Sequence, residues 1–310
     1  MPFQLTILGA GSASPTLYRN QTAQILQVEG EYYLIDCGEG TQLQLLRHKL
    51  RPSKLKYIFI SHLHGDHYFG LIGLLTSLAL SKRTDELFLF GPSGLAEIIT
   101  IQLKYSETKL SFPLHFREIE PEKHYLLLEN EHVTIETIPL KHRIPCSGFL
   151  FKEQPRQRKL IKELLPTDLT VSQLKSLKNG DDLWDTNGEL LYKNEALTKP
   201  AGKPKSYAFC SDTAFNEAIV PQIYQVDLLY HEATFASDMT DWAQRTLHST
   251  ATQAALIAQK AQVGQLMIGH FSSRYRDVSS LLTEAKSVFL NTLLAEEGIT
   301  YPIESQALAE

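Results

Sequence analysis

Three histidines and one aspartate stand within six residues of one another, at His62, His64, Asp66 and His67. Neutral imidazole nitrogens and carboxylate oxygens are the usual protein ligands for zinc. Such groups are costly to bury without partners, so this density favours a metal site over a solvated loop. His62 and His64 can converge on one ion, whereas Asp66 and His67 follow Gly65 and are better placed for a second. Neither pair supplies the three or four ligands that zinc takes, so further ligands are expected elsewhere in the chain.

Strand-like segments position this cluster and several other polar residues. Residues 57–60 are apolar and β-branched or aromatic, which predicts a buried strand, and residues 69–80 predict a helix after the cluster. Further strand-like runs at 133–139, 206–210, 227–230 and 265–268 are each followed by a metal-binding residue type. Those residues are His142, Asp212, Glu232 and His270. Strand ends at one edge of an α/β sheet are where such folds collect chemistry, so these four could complete the shells.

The beginning of the chain leaves one interpretation weak and one open. The strand at 3–8 is followed by Gly9 and Gly11, but Pro15 and polar residues come next, so a dinucleotide-binding turn is disfavoured. Asp36 follows a predicted hairpin over 23–35. It could cap the helix at 42–48 or orient a metal-bound histidine through the other ring nitrogen.

Farther along, Ser249 or Thr250 could be the N-cap of a helix that runs to about residue 262.

Composition excludes several classes of protein. The chain has 310 residues, of which 43% are hydrophobic and 21% charged, as in a soluble globular protein. The net charge of −5 gives no global basic field, so nucleic-acid binding would need local patches. Three widely spaced cysteines (Cys37, Cys146 and Cys210) indicate no disulfide framework and favour a reducing cytoplasm. We expect no signal peptide, because this sequence begins with a strand-like segment at 3–8, and no apolar run approaches the roughly 20 residues of a membrane helix.

Residues 152–204 differ from the rest of the chain. This segment is charged and interrupted by four prolines. Leu160, Ile161, Leu164 and Leu165 nevertheless recur at helical spacing, which indicates folded structure. We interpret 152–204 as a small arm inserted into the core.

The motif His-x-His-x-Asp-His after a strand resembles that of the metallo-β-lactamase superfamily. More narrowly, the chain resembles the ribonuclease Z family, endonucleases that mature the 3′ ends of tRNA precursors. The narrower resemblance rests on the segments 9–15 with 19–20, 36–42, 231–234 (His-Glu-Ala-Thr), 248–250 (His-Ser-Thr) and 270–275. One departure is that Leu165-Pro166-Thr167-Asp168 stands where the family's arm has a Gly-Pro element.

The resemblance implies an α/β fold, the metallo-β-lactamase αββα four-layer sandwich, as a single domain over 1–310. It makes 152–204 a tRNA-gripping arm and implies a homodimer. It also implies two zinc ions per subunit, with Asp212 bridging them. One ion would be held by His62, His64, His142 and Asp212, and the other by Asp66, His67, Asp212 and His270.

The chemistry implied is zinc-dependent removal of 3′ trailers from precursor tRNA, leaving a 3′-hydroxyl on the tRNA and a 5′-phosphate on the trailer. Asp66 would accept a proton from the attacking water, His248 would protonate the departing 3′ oxygen, and Glu232 would hold that imidazole. The alternative for Glu232 and His248 is a structural buried pair. Five basic residues are candidate RNA contacts: Arg143, Arg274, Arg276, Lys175 and Lys178.

Two other functions remain open from the residues alone. The first is a hydrolase on the same scaffold that cleaves a small phosphodiester, ester or lactone. The second is a non-catalytic RNA-binding protein that has kept the fold, which the complete set of ligand types disfavours. Cleavage of a tRNA precursor would separate these functions from the endonuclease.

Overall fold

A computed structural model describes residues 3–305 of the chain. The chain divides into two compact units. The larger comprises the described parts of residues 1–152 and 205–310, and the smaller comprises residues 153–204. The sequence prediction of an inserted segment began one residue earlier, at residue 152.

The larger unit contains two extended sheets and most of the helices. Over residues 3–305 the strands are β1 (Phe3–Gly9), β2 (Ala23–Val28), β3 (Glu31–Ile35), β4 (Leu55–Phe59), β5 (Leu87–Gly91), β6 (Leu114–Glu118), β7 (Leu126–Glu129), β8 (Val133–Leu140), β9 (Cys146–Glu153), β10 (Lys159–Leu160), β11 (Leu183–Trp184), β12 (Leu190–Tyr192), β13 (Thr198–Lys199), β14 (Ser206–Cys210), β15 (Leu228–Glu232), β16 (Gln265–Gly269), β17 (Thr292–Leu294) and β18 (Thr300–Pro302). The helices are α1 (Thr41–Arg47), α2 (Gly65–Tyr68), α3 (Leu71–Leu80), α4 (Leu95–Tyr105), α5 (Val171–Asn179), α6 (Asn194–Leu197), α7 (Thr240–Thr246), α8 (Ala251–Lys260) and α9 (Ser279–Val288). Short 3-10 turns lie at Pro52–Lys54, Lys162–Leu164, Glu217–Ile219 and Ser237–Met239.

Each extended sheet has seven strands. The first has the order β18-β1-β2-β3-β4-β5-β6 and the second the order β17-β16-β15-β14-β9-β8-β7. In the first sheet β3, β4, β5 and β6 run parallel, and in the second β14, β15, β16 and β17 run parallel. The carboxyl ends of neighbouring parallel strands therefore meet at one edge of each sheet, which is the edge that carries the candidate site.

The two sheets pack face to face through alternating side chains. In β4, Tyr57 and Phe59 belong to the core between the sheets, whereas Ile58 belongs to a second core on the outer face. The ring of Phe59 lies 5.4 Å from that of Phe149 and 5.6 Å from that of Phe151 on the opposite sheet. This period-two alternation is what a strand covered on both faces requires.

Helices cover the outer faces of the sheets. Residues of α1, α3 and α4, such as Leu45, Leu75 and Ile99, pack in the outer core of the first sheet. Small residues of α8, including Ala254 and Ala258, pack in the core that includes the second sheet. Thr250 is the N-cap of α8 and forms a capping box with Gln253, which decides between the two predicted caps. The αββα order of layers confirms the predicted fold class.

The smaller unit is built from two short two-stranded sheets, β10 with β13 and β11 with β12, and from helix α5. Thr170 and Gln173 form a capping box at the start of α5. A small core is centred on Leu177, Leu183 and Leu197. The helical spacing noted over 160–165 was misleading, because this stretch forms β10 and a 3-10 turn, and the N–H of Ile161 bonds to the carbonyl of Leu197. The backbone is extended at Ile161, before the turn. Beyond the turn, Pro166 disfavours helical backbone at the residue that precedes it, so no α-helix forms over this stretch.

Strand β9 was not predicted, although it is a central strand of the second sheet. It begins Cys146-Ser147-Gly148, small residues that are more typical of a loop. Gly148 is required there because a Cβ would lie 2.5 Å from the carbonyl oxygen of Phe209 on β14. Helix α7 and strand β17 were also missed. None of the helices within residues 3–305 combines the length and apolar character needed to span a bilayer.

Candidate metal centre

The predicted ligand residues converge at the carboxyl ends of strands from both sheets. Asp36 follows β3 and His62 follows β4, while Asp212 follows β14 and His270 follows β16. Glu232 is the last residue of β15 and so lies in the strand itself, not beyond it as predicted. The two sheets thus each contribute one part of a shared, largely buried cluster.

One group of ligand atoms comes from three histidines and Asp212. The Nδ1 atom of His64 lies 3.0 Å from Nε2 of His62 and 3.1 Å from Nε2 of His142. The Oδ2 atom of Asp212 lies 3.6 Å from Nε2 of His62 and 3.6 Å from Nε2 of His142. These four atoms lie within 4.8 Å of one another, which is the arrangement of a four-ligand metal site.

A second group comprises Asp66, His67 and His270. Oδ2 of Asp66 lies 3.3 Å from Nε2 of His67 and 3.4 Å from Nε2 of His270. These three residues also satisfy the geometry of a metal site.

Asp212 stands between the two groups with one oxygen facing each. Its Oδ2 faces the first group, whereas its Oδ1 lies 3.3 Å from Nε2 of His67 and 3.1 Å from Nε2 of His270. A carboxylate in this position can serve two cations at once. The structure therefore brings together all seven of the residues for which we predicted a role as metal ligands.

Burial keeps the histidines of the first group neutral. Desolvation lowers the pKa of His62 well below its usual value, and it also lowers the pKa values of His64 and His142. A neutral imidazole is the form that binds a metal. Their facing nitrogen atoms would repel one another in the absence of a shared proton or cation, so the donor set fits a metal ion.

The second group carries an excess of negative charge. Burial lowers the pKa of His67, but Asp66, Asp212 and Asp36 outweigh that effect and raise this pKa well above its usual value. Burial likewise raises the pKa of Asp212, yet His270, His67 and other neighbouring histidines hold it well below its usual range. The Nε2 atom of His67 is buried and lies 3.3 Å from a carboxylate oxygen of Asp66 and 3.3 Å from one of Asp212, without forming a well-aligned hydrogen bond. Two ionised carboxylates that face an imidazole nitrogen in this way are a suitable set of donors for a second cation.

Hydrogen bonds fix the orientation of these rings. Nδ1 of His67 lies 2.7 Å from Oδ2 of Asp36, and Nδ1 of His142 lies 3.0 Å from the carbonyl oxygen of Leu247. Asp36 also accepts a hydrogen bond from the N–H of Ser61 at 2.8 Å. Helix α1 has Gly40 as its N-cap and no side-chain cap, so of the two roles open to Asp36 the structure favours orienting His67.

The backbone is strained at three points of this site. Asp36, Leu247 and His270 have φ angles of 56°, 56° and 59°, in the left-handed region that non-glycine residues seldom adopt. Residues held in this way cost about 1–3 kcal/mol each and persist only where the surroundings impose them. Asp36 and His270 carry side chains of the site, and the carbonyl oxygen of Leu247 contacts Nδ1 of His142.

His248 and Glu232 form a buried pair next to Asp212. Nδ1 of His248 lies 2.9 Å from Oε1 of Glu232 and 3.9 Å from Oδ2 of Asp212. Burial lowers the pKa of His248, but the charge and hydrogen bond of Glu232 outweigh it and raise this pKa to about 9. Glu232 also accepts hydrogen bonds from the N–H groups of Thr213 and Ser249. His248 is therefore held as an imidazolium, a form that can donate a proton.

A cavity of about 460 Å³ opens onto this centre. Asp66, Asp212 and His248 line it, together with the basic side chains Arg143 and Arg274. The guanidinium of Arg274 lies over the ring of Trp242. The two guanidinium groups beside carboxylate and imidazole groups make a cavity suited to a phosphodiester.

The other predicted RNA contacts lie elsewhere. Arg276 is exposed but does not line this cavity. Lys175 and Lys178 are on α5 of the smaller unit, where Lys178 lines a separate cleft with Arg158 and Lys162.

Thr234 is a residue of the site to which sequence reasoning gave no role. Its hydroxyl lies 2.9 Å from Nδ1 of His270 and donates to Oε2 of Glu232 at 2.6 Å. It thereby links a proposed metal ligand to the His248 pair. The signal that could have found it is its position, two residues after Glu232 beyond the end of β15. Cys146 also approaches the site, with Sγ 3.6 Å from Nδ1 of His62.

Comparisons with known proteins agree with this geometry. Residues 3–168 match the model of a family described as Anti-Pycsar protein Apyc1. The chain is 50% identical to ribonuclease Z of Cytophaga hutchinsonii over 306 residues, which are 99% of this chain and 98% of that protein. The structure is similar to that of the short form of human tRNase Z, with a TM-score of 0.72 and 28% identity over 97% of this chain and 99% of that chain.

The fold alone is shared with the metallo-β-lactamase fold protein YhfI of Bacillus subtilis, at a TM-score of 0.67 and 19% identity over 97% of this chain and 99% of that one. Fold and site together define a metal-binding hydrolase of the metallo-β-lactamase class. The chain belongs to the ribonuclease Z family, and its residues 3–168 to the family of the Apyc1 model. The resemblance seen in the sequence is thereby confirmed.

Proposed function

We propose that this protein is an endonuclease that removes 3′ trailers from tRNA precursors, leaving a 3′-hydroxyl on the tRNA and a 5′-phosphate on the trailer. The observation that carries the proposal is the contact of His248 with Glu232, 2.9 Å apart, beside the Asp212 carboxylate that faces both ligand groups. The names of the relatives, ribonuclease Z and tRNase Z, support the substrate class.

Two zinc ions would be held by the two ligand groups. The first would be bound by His62, His64, His142 and Asp212. The second would be bound by Asp66, His67 and His270, with Asp212 through its Oδ1 atom. When bound, such ions supply Lewis acidity toward the phosphodiester and activate water for attack. Imidazole and carboxylate donors suit zinc and also accept manganese or iron.

The chain's own residues would orient the substrate and move the protons. Burial raises the pKa of Asp66, but His67 and His270 outweigh it and hold that pKa below its usual range. Asp66 is therefore ionised, as a proton acceptor must be, although the lowered pKa weakens it as a base. His248, kept cationic by Glu232, would donate its proton to the departing 3′ oxygen. Arg143 and Arg274 would hold phosphate groups at the mouth of the cavity.

Cleavage of a tRNA precursor with a 3′ trailer tests this function directly. We expect the zinc-loaded protein to release tRNA and trailer. His248→Ala should lower kcat by roughly 10²–10⁴-fold while zinc content is unchanged, because the variant loses the proton donor and no ligand. Unchanged RNA cleavage by this variant would contradict the role of His248.

The same assay separates the alternative functions. Hydrolysis of bis-p-nitrophenyl phosphate without cleavage of any precursor would favour a small-phosphodiester hydrolase. Inactivity toward both substrates with full zinc content would favour a non-catalytic RNA-binding protein.

The smaller unit, residues 153–204, is proposed to grip the tRNA. Its cleft of about 460 Å³ is lined by four basic side chains, Arg158, Lys159, Lys162 and Lys178. Such a cluster suits a polyanionic backbone. We expect Lys178→Ala to raise KM for precursor tRNA and to reduce its salt dependence, with little change in kcat. Lys104→Ala, which removes an exposed charge from α4, is the control and should change neither.

A homodimer and a cytoplasmic location complete the proposal. Leu43 and Leu46 on α1 and Phe69 between α2 and α3 are 51%, 66% and 59% exposed. We name these three exposed residues the α1 face and propose that a second copy of the chain covers it. The three cysteines are buried and unpaired, which supports a reducing compartment.

A further inference from the structure

A second cavity, of about 680 Å³, lies beside the metal centre and has no role in the chemistry described above. Its lining includes the apolar side chains of Leu63, Pro92, Ile119 and Ile144. Among the residues that line the two cavities, His64 alone belongs to both. Arg143 lines the first cavity and its neighbour Ile144 lines the second, so the two cavities adjoin at this segment as well.

The charges of this second cavity differ from those of the first. Three carboxylates line it, those of Glu118, Glu120 and Glu122, and Lys123 forms an ion pair with Glu120. Acidic groups repel the phosphates of a nucleic acid backbone. They accept hydrogen bonds from the N–H groups at the edge of a nucleobase, whose flat faces pack well on apolar side chains. The cavity is therefore suited to a base and unsuited to a phosphate.

The position of His248 decides which base this is. His248 lines the first cavity, so the 3′ oxygen that it protonates, and the last nucleotide of the tRNA with it, lie on that side. The trailer lies on the other side of the cleaved phosphate, towards the second cavity, which shares His64 with the first. We propose that the second cavity binds the base of the first trailer nucleotide, an inference that rests on the proposed function.

The test compares two tRNA precursors that are identical except that the first trailer nucleotide carries a base in one and is abasic in the other. With the zinc-loaded protein we expect kcat/KM to fall on the order of tenfold for the abasic precursor, as for the loss of one stacked base. Ser93→Trp fills the cavity from its exposed edge and should bring the ratio of the two kcat/KM values close to one. Thr100→Trp adds the same side chain on the exposed side of α4, outside the cavity, and should keep the wild-type ratio.

Three outcomes would overturn the inference. Equal kcat/KM for the two precursors with the wild-type protein would show that the cavity binds no trailer base, while the endonuclease function would stand. If instead the protein requires the base of the last tRNA nucleotide, and Ser93→Trp removes that requirement, the cavity binds on the tRNA side of the cut and the inference is wrong. Failure to cleave any precursor would overturn the proposed function and this inference together.

Discussion

At the scale of single residues, Asp36 shows how a buried carboxylate acts through its neighbours. It bonds to His67 and to Ser61, so it fixes both the ring of a proposed ligand and the start of the ligand segment. We expect Asp36→Asn to weaken metal binding by roughly 10–100-fold, because the imidazole loses its charged partner.

Competition with a chromogenic chelator would measure that affinity. Asp85→Asn, at an exposed loop position, is the matched control and should bind metal like the wild type. Equal affinities for Asp36→Asn and the wild type would show that Asp36 does not control the ligand.

Glu232 should control the pH dependence of cleavage. The charge of Glu232 raises the pKa of His248 to about 9, so the proton donor is present below that pH and is lost as the pH rises through it. Glu232→Gln removes the charge and lowers the pKa of His248. The basic limb of the kcat/KM profile should therefore shift to lower pH.

A profile measured from pH 6 to about 10 would test this point. A basic limb that stays in place in Glu232→Gln would indicate that another group titrates there, and that Glu232 and His248 form only a structural pair.

The identities of most residues of the site could be predicted, because histidines and carboxylates after strand-like runs are visible in the sequence. The partners that orient them were less visible. Asp36 kept two possible roles, because its contact with His67 spans 31 residues and depends on how two strands pair. Thr234 was missed because its position after Glu232 did not show what its hydroxyl contacts, and its contact with His270 spans 36 residues.

At the scale of elements, Gly70 allows the start of α3 to approach the segment that carries Asp36. A Cβ at Gly70 would lie 2.0 Å from the carbonyl oxygen of Gly38. We expect Gly70→Ala to destabilise the protein by about 1–3 kcal/mol, because backbone must move to make room.

Urea unfolding would measure the change in the free energy of unfolding. Gly202→Ala is the control, since no atom lies within 4 Å of the added Cβ, and it should stay within about 0.5 kcal/mol of the wild type. Equal stability of Gly70→Ala and the control would mean that the close contact is easily relieved.

Elements with clear periodicity were predicted to within a residue or two, and those governed by tertiary packing were not. Strand β2 and helix α1 show patterns that a single chain segment reveals. Strand β9 has a glycine at position 148 because the carbonyl oxygen of Phe209, on the neighbouring strand β14, leaves no room for a Cβ there. That restriction comes from the neighbouring strand and is not visible in the sequence of β9 itself. The stretch at 160–165 has helical spacing, but Leu160 pairs with Thr198 of β13 and residues 162–164 form a 3-10 turn.

At the scale of the whole molecule, the α1 face predicts self-association. Leu46→Glu places a charge on this surface, so we expect it to shift the protein from dimer to monomer. Light scattering would measure the mass. Leu290→Glu is the control, because Leu290 is 81% exposed and lies just beyond α9, on the helical layer over the other sheet. A wild-type protein that is monomeric would contradict the proposed dimer.

The sharing of Asp212 between two ligand groups has a thermodynamic consequence. Its Oδ1 and Oδ2 atoms belong to one rigid carboxylate, so a cation on either side changes the charge and the orientation that the other side encounters. Occupancies of the two positions are then linked, and each cation alters the affinity for the other by the same factor. A zinc titration should follow a coupled two-site isotherm, and its cooperativity would report on a single side chain.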